Sequence, residues 1–199
     1  MRNVVFDLGA VLLEWDPEAI VRQFTPDRIQ QDNVMKQILQ HPDWLEMDRG
    51  RLTEVDAAYR AAKRTGLDAR EIFGLFSIVK DSLTVIPNTL RLLEKASENG
   101  FNLYCLSNMS PENYLFLKHK YAFFDRFHGI VVSGLENTVK PEKEIYQILL
   151  QRFSLNPGDT LFIDDREENT RTAAGLGIST ITFSTSPECY SELSLLLDT

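Results

Sequence analysis

From Val85 onward the chain alternates short apolar runs with segments of helical spacing, and this alternation restricts the fold more than any other feature. The runs fall at 103–106, 129–132, 160–163 and 178–183, each of strand length. Between and beyond them, helical patterns begin at Pro87, at Ser110-Pro111, at Pro141, at about Arg166 and at Glu188. Strands that alternate with helices in this way pair in parallel and are covered on both faces. One more apolar run, Val4-Val5-Phe6, opens the chain. Residues 15–83 break the alternation. They lack strand runs and carry repeated helix starts: Asp16-Pro17, Thr25-Pro26-Asp27, Thr53, and the capping-box pair Asp68 and Glu71. The expected architecture is α/β, a doubly wound (Rossmann-like) parallel sheet with a helical subdomain inserted after the first strand. The core is expected over 1–14 and 84–199, the insertion over 15–83.

In such a sheet everything just past a strand's carboxyl end lies on one rim, where ligands bind. The first strand ends in Asp7, with Gly9 two residues on, where a glycine lets the backbone turn sharply. The second ends in Ser107-Asn108, which offer a hydroxyl, an amide and backbone N–H groups to an anion. After the third comes Lys140, which a following proline holds extended at a helix start. The fourth ends in Asp164-Asp165, with Asn169 about one turn further. Adjacent carboxylates repel unless a cation joins them, and with Asp7 they form an all-oxygen site of the kind Mg²⁺ prefers when a phosphate completes its shell. There Lys140 and the ion offset the charge of a phosphate dianion, Ser107 and Asn108 hold its oxygens, and Asp7 attacks in line to form an aspartyl-phosphate. Each residue also has a plainer reading: Ser107-Asn108 as a turn, Lys140-Pro141 as a loop-to-helix joint, Asp165 and Glu168 as a capping box. The plainer readings do not explain why all four segments fall at successive strand ends.

Composition narrows the partners. A formal charge of −8, from 21 basic and 29 acidic residues, argues against a general nucleic-acid binder while leaving a small anionic substrate open. Hydrophobic content of 43% is that of an ordinary globular protein, and no run is long enough to span a membrane. Cys105 and Cys189 have no metal-ligand spacing and no signal peptide precedes them, so both are expected as reduced thiols in a cytoplasmic protein. His41, His119 and His128 are scattered and read as surface or capping residues. Oligomeric state is not legible.

The four segments, in this order, resemble the signature motifs of the haloacid dehalogenase superfamily, most of whose members are Mg²⁺-dependent phosphatases. Phe-Asp-Leu-Gly, Leu-Ser-Asn, Val-Lys-Pro and Ile-Asp-Asp are especially similar to the branch containing α-D-glucose-1-phosphatase and the phosphatase domain of soluble epoxide hydrolases. The resemblance implies that Asp7 is nucleophile and metal ligand and that Gly9 gives a backbone carbonyl to Mg²⁺. It implies that Ser107 and Asn108 bind phosphate, that Lys140 stabilises charge, and that Asp165 is the main acidic ligand with Asp164 supporting it. Residues 15–83 take the place of the cap, whose turn Asp48-Arg49-Gly50 resembles a loop facing the core; Arg49 there would contact substrate, Trp44 lying just before it. The substrate implied is a small phosphorylated metabolite, a sugar phosphate such as a hexose 1-phosphate being one candidate.

One position departs from the common pattern. Most phosphatases of the superfamily carry a second aspartate two residues after the nucleophile, to protonate the leaving group and activate water; here that position is Gly9. General acid–base help contributes about 10²- to 10⁴-fold in rate. Its absence implies substrates whose leaving group departs easily, such as anomeric sugar phosphates or acyl phosphates. Asp16 could replace the acid, but its place before Pro17 marks it as an N-cap. Two other readings stand beside the phosphatase: a 2-haloacid dehalogenase, which needs no metal, and a phosphometabolite-binding module without turnover.

Overall fold

A computed structural model describes residues 2–198; Met1 and Thr199, the ends of the expected core range, lie outside the described residues. Five strands, β1 (Asn3–Phe6), β2 (Asn102–Ser107), β3 (Gly129–Val132), β4 (Thr160–Asp164) and β5 (Ser179–Thr182), form one parallel sheet in the order β3-β2-β1-β4-β5. β1 is central. Its alternate side chains go to opposite layers, as the two-residue period of a strand requires. Val4 and Phe6 join Leu103, Cys105, Leu161 and Ile163 on one face, while Val5 joins Tyr104, Leu106 and Phe162 on the other. Helices α6 (Pro87–Glu98), α7 (Pro111–Lys120) and α11 (Pro187–Leu196) cover the first face, α9 (Lys143–Arg152) and α10 (Glu167–Ala174) the second. With both faces covered, the strands carry continuous apolar runs.

Between β1 and α6 lie α1 (Pro17–Phe24), α2 (Arg28–Val34), a π-helical turn (Met35–Leu39), α3 (Pro42–Asp48), α4 (Glu54–Thr65) and α5 (Ala69–Ser82). Their inward residues, from Ile20 to Val79, make an apolar cluster of their own. Trp15 packs against both this cluster and the one under the sheet. The caps are those the sequence predicts. The Asp16 carboxylate accepts from the Ala19 N–H, Asp68 and Glu71 close a capping box, and Gly66 ends α4 at φ +78°.

Two local features differ from the sequence reading. A one-turn helix, α8 (Ser133–Glu136), follows β3 directly, and α9 begins at Lys143 instead of Pro141. Glu142 stays extended at φ −62°, ψ 132°, its carboxylate taken by the Thr138 hydroxyl, the Val139 N–H and Arg49, so the helix starts two residues later than expected. The Lys140-Pro141 peptide is cis.

α3 and the turn after it press on α8. The Ser133 hydroxyl donates to the Asp48 carbonyl, Arg49 pairs with Glu142 at 2.7 Å, and Arg51 donates to the Asn137 carbonyl at 3.2 Å. Gly50, at φ +77°, comes so close that a Cβ there would stand 2.1 Å from the Gly134 carbonyl oxygen. Backbone meets backbone, so nothing flexible can yield. Gly50→Ala is therefore expected to pry the insertion from the core, costing about 1–3 kcal/mol in urea unfolding; wild-type stability in that variant would show that the two parts do not depend on this contact.

Candidate active site

The register of the sheet builds the site. Phe6 stands level with Cys105 of β2 and Ile163 of β4, so the next residue, Asp7, stands level with Leu106 and Asp164. Its N–H extends the ladder to the Ile163 carbonyl at 3.0 Å, which fixes the backbone at the point where the side chain leaves the sheet. Chain connection turns one way from β1 to β2 and the other way at β4, so Asp7 and Asp164 flank the topological switch point of the sheet.

Lys140 closes the cluster from the loop after α8. Its ammonium lies 2.9 Å from Asp7 Oδ1, 2.6 Å from Asp164 Oδ2 and 3.0 Å from the Leu106 carbonyl, which accounts for all three of its N–H donors. Burial presses this ammonium toward neutrality, but Asp7 and Asp164 together outweigh it and hold its pKa above the ordinary lysine value. Asn108 positions the lysine: its side-chain amide accepts from the Lys140 N–H at 2.8 Å and donates to the Lys140 carbonyl at 2.9 Å. These two bonds use the amide oxygen and one of its two N–H donors, and Asn108 also lines the cavity above the cluster. Asp7 Oδ1 accepts from the Leu8 N–H at 2.7 Å, and the nearby Ser107 hydroxyl favours the charged form of the carboxyl.

The two carboxylates after β4 differ. Asp164 is fully buried, with Oδ2 on Lys140 and Oδ1 accepting from the Arg166 N–H and the Asn169 amide, each at 2.9 Å. Asp165 is partly exposed, and burial followed by the charge of Asp164 raises its pKa. The capping box that Asp165 and Glu168 offered is not formed; α10 has Arg166 as its N-cap, without a side-chain bond.

Oxygen atoms of Asp7, Asp164 and Asp165 lie within 4.8 Å of one another. Three carboxylates against one ammonium leave two negative charges uncompensated. Burial raises the Asp7 carboxyl to about 7, with Lys140 opposing and Asp164 reinforcing the shift. The side-chain amide oxygen of Asn169, buried beside the cluster, has no hydrogen-bond partner among the described residues. An all-oxygen donor set with two charges to spare and an orphaned amide oxygen fits a hydrated Mg²⁺ ion.

A cavity of about 630 Å³ opens above these residues. The core side of its wall includes Asp7, Gly9, Ser107, Asn108, Lys140 and Asp165; the insertion contributes Trp44, Leu45, His41 and Asp48. Trp44 stands 5.9 Å from Trp15, ring centre to ring centre. Arg49 does not line it: it pairs with Glu142 at 2.7 Å and with Glu46 at 3.4 Å, in the contact between insertion and core. Asp16, the alternative acid, is an exposed N-cap outside this wall. What the sequence did not disclose is Asp48, which looks like any acid before a glycine turn.

The family model of the haloacid dehalogenase-like hydrolases matches residues 1–177, and the chain belongs to that family. It is 25% identical over 177 residues to the sesquiterpene phosphatase astK of Aspergillus oryzae, covering 89% of this chain and 87% of that one. It is 28% identical to the drimenol cyclase drtB of Aspergillus calidoustus, of which it spans only 36%. The solved structure of a HAD family enzyme from Bacteroides thetaiotaomicron superposes with a TM-score of 0.80 at 25% identity, over 98% of both chains. The same enzyme in complex with magnesium and inorganic phosphate superposes with a TM-score of 0.78 at 26% identity, over 94% of this chain and 96% of that one.

A carboxyl whose folded pKa is raised favours the folded state below its unfolded value, near 3.8 for Asp7, and that contribution is lost as pH rises through about 7. In EDTA, thermal stability should fall across this window. Added Mg²⁺ should restore more of it at about pH 8 than at about pH 5, since protons compete for the same oxygens. A larger Mg²⁺ effect at the lower pH would contradict the assignment of the ion to Asp7.

Proposed function

We propose that this hydrolase is a Mg²⁺-dependent phosphatase that cleaves a small phosphate monoester through an aspartyl-phosphate on Asp7. The observation that carries the reading is the Lys140 ammonium held between Asp7 and Asp164 at the rim of the sheet, beside two uncompensated negative charges. Asp7, Asp165 and the Gly9 carbonyl are the proposed ligands, with Asp164 and Asn169 behind them. Asp164 has both oxygens engaged, which favours Asp165 as the direct acidic ligand. Bound there, Mg²⁺ supplies charge neutralisation to phosphoryl oxygens and so lets an anionic nucleophile approach an anionic phosphate.

The protein's own groups do the rest. The Leu8 N–H and Lys140 hold one oxygen of Asp7, leaving the other to attack phosphorus in line. Lys140 stays charged and faces the developing negative charge. The Ser107 hydroxyl and the main chain at Asn108 bind phosphoryl oxygens, while the Asn108 amide keeps Lys140 in place. The helical insertion acts as a cap. With its apolar wall of Trp15, Leu39, Trp44 and Leu45 opposite Asp7, it encloses the carbon body of the substrate and keeps bulk water from the acyl phosphate. Such a wall suits an apolar group, as in the substrate named for the sesquiterpene phosphatase, or the face of a sugar ring.

The dehalogenase alternative gives Asp165 no task, and EDTA separates the two: only the phosphatase should lose activity. Asp7→Asn should lower phosphate release at least about 10³-fold while leaving the fold intact, because the nucleophile itself is removed. Phosphate release that survives both EDTA and Asp7→Asn would refute the proposal. Binding of phosphorylated metabolites without single-turnover release in the wild type would favour a binding module.

A further inference from the structure

We propose that Asp48, carried by the cap, is the general acid and base of this site, replacing the aspartate that Gly9 does not provide. The inference rests on the phosphatase reading above and adds to it the source of the leaving group's proton. Its ground is geometric. Asp48 lines the cavity that also holds Asp7, Gly9 and Lys140. A Cβ at Gly9 would meet no atom within 4 Å, so the space beside the nucleophile is open to the cavity. The position is also fixed: the Asp48 carbonyl accepts from Ser133, and the Ser110 N–H at the start of α7 stands near enough to its carboxyl to favour the charged form. With Gly50 seated on Gly134 two residues later, Asp48 cannot withdraw unless the cap lifts.

Among the described residues no cation pairs with this carboxyl. Its own-helix neighbour Arg49 faces Glu46 and Glu142, and Glu54, which borders the same small recess, is paired with Lys80 at 2.7 Å. Lys140 is taken up by Asp7 and Asp164. Enclosure between cap and core is the main cause that raises the Asp48 carboxyl to about 7; the charge of Asp7 adds to it and the Ser110 N–H opposes it. A carboxyl so placed exists in both protonation states near neutrality, which a group that must give and then retrieve a proton requires.

The steps balance. As an Asp7 oxygen bonds to phosphorus and the bond from phosphorus to the leaving oxygen breaks, the Asp48 proton passes to that oxygen, and an alcohol departs. The Asp48 carboxylate then takes a proton from water as the water oxygen bonds to phosphorus. The bond from phosphorus to Asp7 breaks, phosphate leaves, and Asp48 is again protonated.

The test is the alcohol burst in a single turnover with Mg²⁺, which isolates the first step, for a series running from 4-nitrophenyl phosphate to alkyl phosphates. Asp48→Asn keeps an oxygen for the Ser110 N–H and so preserves the contact between cap and core. It should slow alkyl phosphates about 100-fold or more and 4-nitrophenyl phosphate by less than about 3-fold, since only the poorer leaving group needs the proton. Wild-type rates should depend weakly on leaving-group acidity and steeply so in Asp48→Asn. Equal losses across the series, or a steep dependence already in the wild type, would overturn the proposal; the wild-type series decides even if the variant does not fold. Absence of any burst in the wild type, or a burst retained in Asp7→Asn, would instead remove the phosphatase reading itself.

Discussion

The structure depends on one buried ammonium. Lys140 sits at the carboxyl edge of the sheet with three acceptors, two of them carboxylates from different strands. Leaving either carboxylate buried without its partner would carry a penalty of several kcal/mol. Asp7 and Asp164 therefore stay level only because β1 and β4 are neighbours in register, and Lys140 reaches them only because the Asn108 amide clasps its main chain from the end of β2. The same arrangement leaves the rim short of positive charge. A rim that holds a lysine this tightly and is still negative has the charge and the oxygen donors that suit a hard cation.

Around that rim the insertion supplies a second wall. It has an apolar cluster of its own, which Trp15 links to the one under the sheet, and Asp48, Arg49, Gly50 and Arg51 meet Ser133, Gly134, Asn137 and Glu142 through polar and backbone contacts. Arg49 holds the Glu142 carboxyl down to about 2, so the pair remains ionised at any ordinary pH.

Much of this was legible in the chain. The alternation after Val85 gave the parallel sheet because strands buried on both faces leave unbroken apolar runs, and Asp7, Ser107, Lys140 and Asp164-Asp165 stood out as polar residues ending those runs. What was not legible depended on contacts between distant segments. Asn108 reads as a strand-end polar residue, and only the fold shows that its amide also clasps the Lys140 main chain. Arg49 reads as a substrate contact until Glu142, far away in sequence, takes its charge. Asp48 reads as a turn residue because nothing local marks a carboxyl that another segment will enclose. The late start of α9 has the same origin, since the side chain that holds Glu142 extended comes partly from the insertion.

The central claim is that Asp7 is the atom-bearing nucleophile of a Mg²⁺-dependent phosphoryl transfer with Lys140 beside it. The most direct measurement is a crystal structure grown with Mg²⁺ and beryllium fluoride, a mimic of an aspartyl-phosphate. The account predicts a beryllium trifluoride group bonded to the free oxygen of Asp7, with Lys140 and Ser107 on its fluorines and the ion between Asp7 and Asp165. An Asp7 carboxylate that stays bare under those conditions, or an adduct formed at another residue, would contradict it.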